Sequence, residues 1–164
     1  MRAWALVVSA FALGACSQEA PQEDAAISSP AFIAAGACYA RSHDAAHLAA
    51  HPQQRVDSFY LRDAGPAWRP VAGPGQFHVA FGFRLRGTPD VYSGVAACAA
   101  EGEGATCTVE GDGGAFTLAH DGQSLRLSLT RLEAEGPNDF SPDLAASDDR
   151  ILVLAPAETA ACAD

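Results

Sequence analysis

The chain has no lysine: all ten of its basic residues are arginine, set against twenty aspartates and glutamates. That absence excludes Schiff-base chemistry, a P-loop amine for phosphate and a Ser-Lys dyad. A formal charge of −10 excludes a nucleic-acid partner, because phosphate binding rests on clustered cations. Also missing are a Cys-x-x-Cys pair, a Gly-x-Ser-x-Gly elbow, a dinucleotide fingerprint and the Asp-x-Asp-x-Asp-Gly loop of calcium proteins. Dithiol redox, hydrolase-elbow, nucleotide and EF-hand chemistry therefore have no motif to stand on. No apolar run reaches the roughly 20 residues that a membrane helix needs. No cofactor is expected, and the chain does not read as an enzyme.

One shorter apolar run is present. It begins after Met1-Arg2 and closes on Leu13-Gly14-Ala15-Cys16, with polar sequence following at once. A positive start, an apolar centre and small residues before a cut site describe an export signal. The closing tetrad resembles a bacterial lipobox. The resemblance implies that residues 1–15 are a signal peptide and that Cys16 is the lipidated N-terminus of a mature envelope lipoprotein facing the periplasm. Ser17 after the cysteine resembles the outer-membrane sorting pattern. Removing residues 1–15 takes away one arginine and no acid, leaving a charge of about −11. Such a surface repels anionic head groups, so the membrane is met through the acyl chains on Cys16 and not through the domain. Residues 16–30, polar and punctuated by Pro21 and Pro30, read as a flexible tether.

Five cysteines less Cys16 leave Cys38, Cys98, Cys107 and Cys162, an even set in an oxidising compartment. Disulfides are favoured over a four-thiolate metal site because no close ligand pair is present. Cys98 and Cys107 flank a Gly- and Glu-rich connection whose ends return together if the flanking strands pair, which leaves Cys38 to close with Cys162 and to pin both ends of the fold. The crossed pairings require Cys162 to reach into that hairpin.

Residues 31–164 read as one disulfide-bonded domain, mainly β with an antiparallel sheet, sandwich- or barrel-like. Phe77, Val79, Phe81, Phe83 and Leu85 alternate with His78, Ala80, Gly82 and Arg84, a period of two that places five apolar side chains on one face. Leu125, Leu127 and Leu129 alternate likewise. Further strands are expected at 56–62, 91–98, 106–110, 115–119 and 150–154, about seven in all. Asp121-Gly122 marks a tight hairpin, and no stretch between strands offers a crossover helix. One short helix is expected over residues 42–51, capped by Ser42 or Asp44 and stopped by Pro52. The acidic segment 135–149 reads as a long surface loop.

Within the helix, His43, His47 and His51 stand at four-residue spacing, the geometry that lets two imidazoles share a metal. His43-Asp44-Ala45-Ala46-His47 resembles the zincin pattern with Asp in place of Glu, one methylene short of the metal-bound water. The three are weak metal candidates, with His78 and His120 as further ligands, and a capped helix with solvated or hydrogen-bonded histidines is the simpler reading. Glu110, Asp112, Asp139, Asp143, Asp148 and Asp149 read as turn and surface acids. The spaced set Cys38-Tyr39-x-Arg41, Asp44-x-x-His47-Leu48-x-x-His51-Pro52-x-Gln54-x-Val56 and Cys107-x-Val109-Glu110 with Asp112-Gly113-Gly114 resembles small exported proteobacterial proteins, which implies an intact domain without specifying a reaction. The expected role is a non-enzymatic envelope module with a protein or small-molecule partner. A periplasmic metal protein or metallohydrolase is the alternative, and an inhibitor of an envelope-directed hydrolase a further one.

Overall fold

The structure is a computed structural model and describes residues 32–65 and 73–163. The lipobox, Cys16 and the tether lie outside the described residues.

Eight antiparallel strands follow one another in chain order and close into a barrel. They are β1 (Cys38–Ser42), β2 (Val56–Asp63), β3 (Gln76–Leu85), β4 (Val91–Glu101), β5 (Gly104–Val109), β6 (Gly114–Asp121), β7 (Ser124–Leu132) and β8 (Ile151–Pro156), with a helix α1 (Ala45–Ala50) between β1 and β2. The seven expected strands are all present, and the correction is an eighth. β1 is short and carries no clear alternation, yet it pairs with β2 along its whole length and with β8 at Tyr39↔Pro156 and Ala40↔Ala155.

Alternation explains the closure. On β3, Val79, Phe81 and Phe83 are essentially inaccessible, while the flanking Phe77 and Leu85 are half-buried at the barrel ends. Three full burials in place of five contribute about 5–9 kcal/mol before entropy. Leu125, Leu127 and Leu129 of β7 and Phe116 and Leu118 of β6 fill the same interior. Phe59 stacks on Phe81 and Phe83, and Phe116 meets Phe81 edge-on. The barrel is thus a packed core, with polar outward positions such as Thr106, Thr108, Thr117 and Arg126 exposed. That is the reverse of a lipid-facing barrel. Gly94 on β4 makes room for this packing, since a Cβ there would stand 2.8 Å from Phe81.

Turn chemistry sets the register. Glu101↔Gly104 and Asp121↔Ser124 close two-residue hairpins whose first central residues, Gly102 and Gly122, have φ of 62° and 64°. The second hairpin therefore centres one residue beyond Asp121, because the glycine must occupy the positive-φ position.

Both expected disulfides are present, Cys98–Cys107 and Cys38–Cys162. Cys98 and Cys107 are direct cross-strand partners, but β4 and β5 continue past them to the Gly102-Glu103 turn, so the connection is shorter than the eight residues between the cysteines. Cys162 sits on a 3-10 turn (Thr159–Cys162) that packs with Cys38 and Tyr60 outside the barrel. This pins the chain's end across the β1–β8 seam.

The two ends of the barrel differ. At the entry end lie the β2–β3, β4–β5 and β6–β7 connections. There Phe32 stacks on Phe77, His120 Nε2 lies 3.1 Å from the Phe32 carbonyl oxygen, and Ile33 is buried in the core. At the far end lie α1, the β3–β4 and β5–β6 turns and the long β7–β8 connection.

That connection is not a plain surface loop. Residues 134–141 form a small hairpin, with Ala134 N donating to Ser141 Oγ, Ser141 N to the Ala134 carbonyl and Gly136 N to that of Asp139. Two 3-10 turns follow, Leu144–Ala146 and Asp148–Arg150. Leu144 and Asp149 are fully buried. The acids that suggested solvent serve as local acceptors: Asp143 Oδ1 takes Leu132 N and Ala145 N.

Candidate functional site

Two groups of polar side chains stand at the far end. The first grows from α1. The N-cap is Asp44, whose Oδ1 accepts His47 N at 2.7 Å, so the helix is shorter than the expected 42–51. Ser42 ends β1 and His43 falls outside the helix. An extended cap residue with a short carboxylate satisfies a first-turn N–H that Ser42, committed to its strand, does not reach.

Leaving the helix does not separate His43 from its neighbours. Its ring stacks on His47 with centroids 4.4 Å apart, and His47 stacks on His51 at the same spacing. Beneath them lies the buried side chain of Gln54. His47 Nε2 donates to Gln54 Oε1 at 2.8 Å, and Gln54 Nε2 donates to His43 Nε2 at 2.7 Å. His43 must then carry its proton on Nδ1, which is buried with no partner. Burial holds the His43 pKa below its ordinary value, Arg41 and His47 push the same way, and Asp149 and Asp57 oppose them.

Face-to-face rings point their nitrogens along parallel planes, whereas ligands of one ion must converge. The Nε2 atoms of His43 and His47 are both engaged by Gln54, so metal binding here requires that amide to leave. His78 and His120 are not brought to this group: both lie on the part of the barrel nearer the entry end. Among the described residues no three His, Cys, Asp or Glu side chains are gathered as a metal site.

Behind the histidines stands Asp149, fully buried. It accepts Arg55 N at 2.7 Å, Val56 N at 3.2 Å and the Ser147 hydroxyl at 2.8 Å. This carboxylate ties the second 3-10 turn to the start of β2. Sequence reasoning placed it on a surface loop. The Ser147-x-Asp149 spacing, with Ser147 as N-cap, was the available signal. Gln54 stood in the spaced set that carries the resemblance, but nothing in the sequence gave it a role beside the histidines.

The second group lines a cleft. β5 stops at Val109 opposite Ala96, Glu110 N still donates to the Val95 carbonyl, and on that side of β4 Ser93 is then met by Glu135 of the 134–141 hairpin. The gap is a hollow of about 690 Å³. Its polar walls are Glu110, Asp112, Glu133 and Glu135 with Arg131, and its apolar ones Val95, Val109, Ala134 and Phe140. Arg131 is paired with Glu133 at 3.1 Å. Phe140 is 63% exposed, the most exposed large apolar side chain among the described residues. A second hollow, of about 460 Å³, adjoins across the Ser93–Glu135 bridge. The sequence reading had Glu110 and Asp112 only as turn acids, and it left Phe140 unmarked.

Compared with known proteins, the chain matches no protein-family model, no curated protein and no solved structure.

Proposed function

We propose that this protein is a lipid-anchored, non-enzymatic binding module of the cell envelope that meets its partner with the far end of its barrel. The observation that carries the reading is the polarity of the molecule. The described chain enters at one end through Phe32 and Ile33, and the cleft opens at the other. With acyl chains on Cys16, a tether over 16–30 leads into the entry end, which leaves the cleft free to meet a partner. The packed interior supports a surface site over an enclosed one, because an eight-stranded barrel holds a ligand only where its interior is not filled by side chains. Two disulfides support an oxidising compartment.

The test uses full-length protein in the envelope. Cys16→Ser is expected to leave the chain unprocessed or unanchored. If that variant still partitions with membranes after signal cleavage, the anchor is wrong. A photo-crosslinking residue at position 140 is expected to join a discrete envelope component, while the same residue at Asp121, at the entry end, is not. Equal crosslinking at both positions, or none at 140, contradicts a binding role for the far end.

A further inference from the structure

We infer that α1 is a proton-operated latch: in acid, Gln54 can no longer bond both His43 and His47, and the helix leaves the far end while the barrel stays closed. An amide side chain has one oxygen to accept and one NH2 to donate. In the closed state these meet one donor, His47 Nε2, and one acceptor, His43 Nε2. A first proton on the pair is tolerable, because the amide can turn over if His47 moves its own hydrogen to Nδ1. A second proton makes both rings donors, and no orientation of Gln54 then satisfies the two. Gln54 is 7% exposed, so solvent does not relieve that conflict while the helix stays in place.

The surroundings push the same way. Two imidazoliums would face each other with centroids 4.4 Å apart, and His51 stacks on the other side of His47 at the same spacing, so like charges repel. Arg41 from β1 adds to the repulsion, while Asp57 from β2 and Asp149 from the second 3-10 turn oppose it. Asp149 is already held by Arg55 N, Val56 N and the Ser147 hydroxyl, and Asp44 by His47 N. Arg86, just past β3, reaches the His51 and Gln54 carbonyls, and Arg55 lines the hollow beside Leu48. Burial first, then Arg41 and His47, lower the His43 pKa, so the opened state takes up protons more readily than the closed one. Opening also brings water to His43 Nδ1, which is buried without a partner in the closed state. Little else holds the helix. Its six residues are too few to be stable alone, and Leu48 is its one buried side chain. The Arg86 contacts, at 3.5 and 3.4 Å, are long. Release uncovers Leu48 and the end of β3 at Leu85, which line one hollow beside the helix.

Hydrogen–deuterium exchange on the full chain in neutral detergent, with labelling times matched for the intrinsic pH dependence of exchange, reads the latch. The reporters are the N–H groups of His47, Leu48, His51 and Gln54, all hydrogen-bonded in the closed state. From pH 7.5 to 5.5 they are expected to lose protection about tenfold by local opening, while the amides of β6 and β7 keep theirs. His43→Gln with His47→Gln removes the two-donor state and is expected to abolish the loss. Gln54→Glu sets an acceptor before each imidazolium and is expected to reverse the sign, leaving α1 better protected at pH 5.5 than at 7.5. Unchanged protection of α1 in the parent chain, an equal loss in β6 and β7, or the parent's loss persisting in either variant overturns the proposal. Protection of β6 and β7 at pH 7.5 shows that a variant is folded. Should Gln54→Glu fail that check, the parent chain and the double variant still decide.

Discussion

His43 shows how one side chain couples the packing around α1 to solution pH. Its Nε2 accepts from Gln54, and protonation would replace that acceptor with a second donor aimed at the same amide. Burial, Arg41 and His47 lower its folded pKa, so between that value and 6.5 the unfolded chain binds more protons than the folded one. Stability therefore rises with pH through that window. The contribution is complete above about 6.5 and is lost as pH falls through the folded value. His43→Gln is expected to flatten the fall in urea midpoint between pH 7.5 and 5.5 while leaving other titrations in place. Parallel curves for the two proteins would contradict the assignment. The histidine spacing was plain in the sequence, but its meaning was not: stacking depends on where β1 ends, and Gln54 lies eleven residues from His43 with no local pattern to tie the two together.

Among the elements, the strands were legible and the connections less so. Period-two alternation in β3 and β7 reports a large burial difference between faces, which is why those strands stood out. β1 lacked that contrast, because Tyr39 and Ala40 are half-buried and Arg41 and Ser42 exposed. The β7–β8 connection was misread for the opposite reason, its acids suggesting solvent when several of them cap backbone. Asp149 carries the strongest case: Asp149→Ala strands the Val56 N–H in a buried place and is expected to cost about 2–4 kcal/mol. Urea unfolding with an unchanged slope would read that loss. A change below about 0.5 kcal/mol would mean that water replaces the carboxylate.

At the scale of the whole molecule, barrel closure depends on a seam of two residue pairs, against four between β7 and β8 and nine between β3 and β4. Ala157 N donates to the Cys38 carbonyl beside it, and Cys38–Cys162 crosses it. In the chain-entropy model that bond, closing a separation of 124, contributes about 5 kcal/mol against about 3 for Cys98–Cys107 at a separation of 9. Replacing Cys38 and Cys162 by serine is therefore expected to lower the unfolding free energy more than replacing Cys98 and Cys107. The reverse order, measured by urea titration of the two double variants, would show that strain or residual structure dominates. Both pairings were legible because only one arrangement lets a hairpin and a terminal clasp coexist.

The same seam fixes an order in time. β1 is the first strand to reach the compartment where the protein folds and β8, its second partner, the last, so the ring cannot shut until residues 151–156 have been delivered. Until then the meander grows strand by strand with one side of β1 bare, an edge on which a stray strand can grow. A chain halted before residue 151 would keep its hairpins and lose its ring, and its fate would rest on whatever protects that edge while it waits.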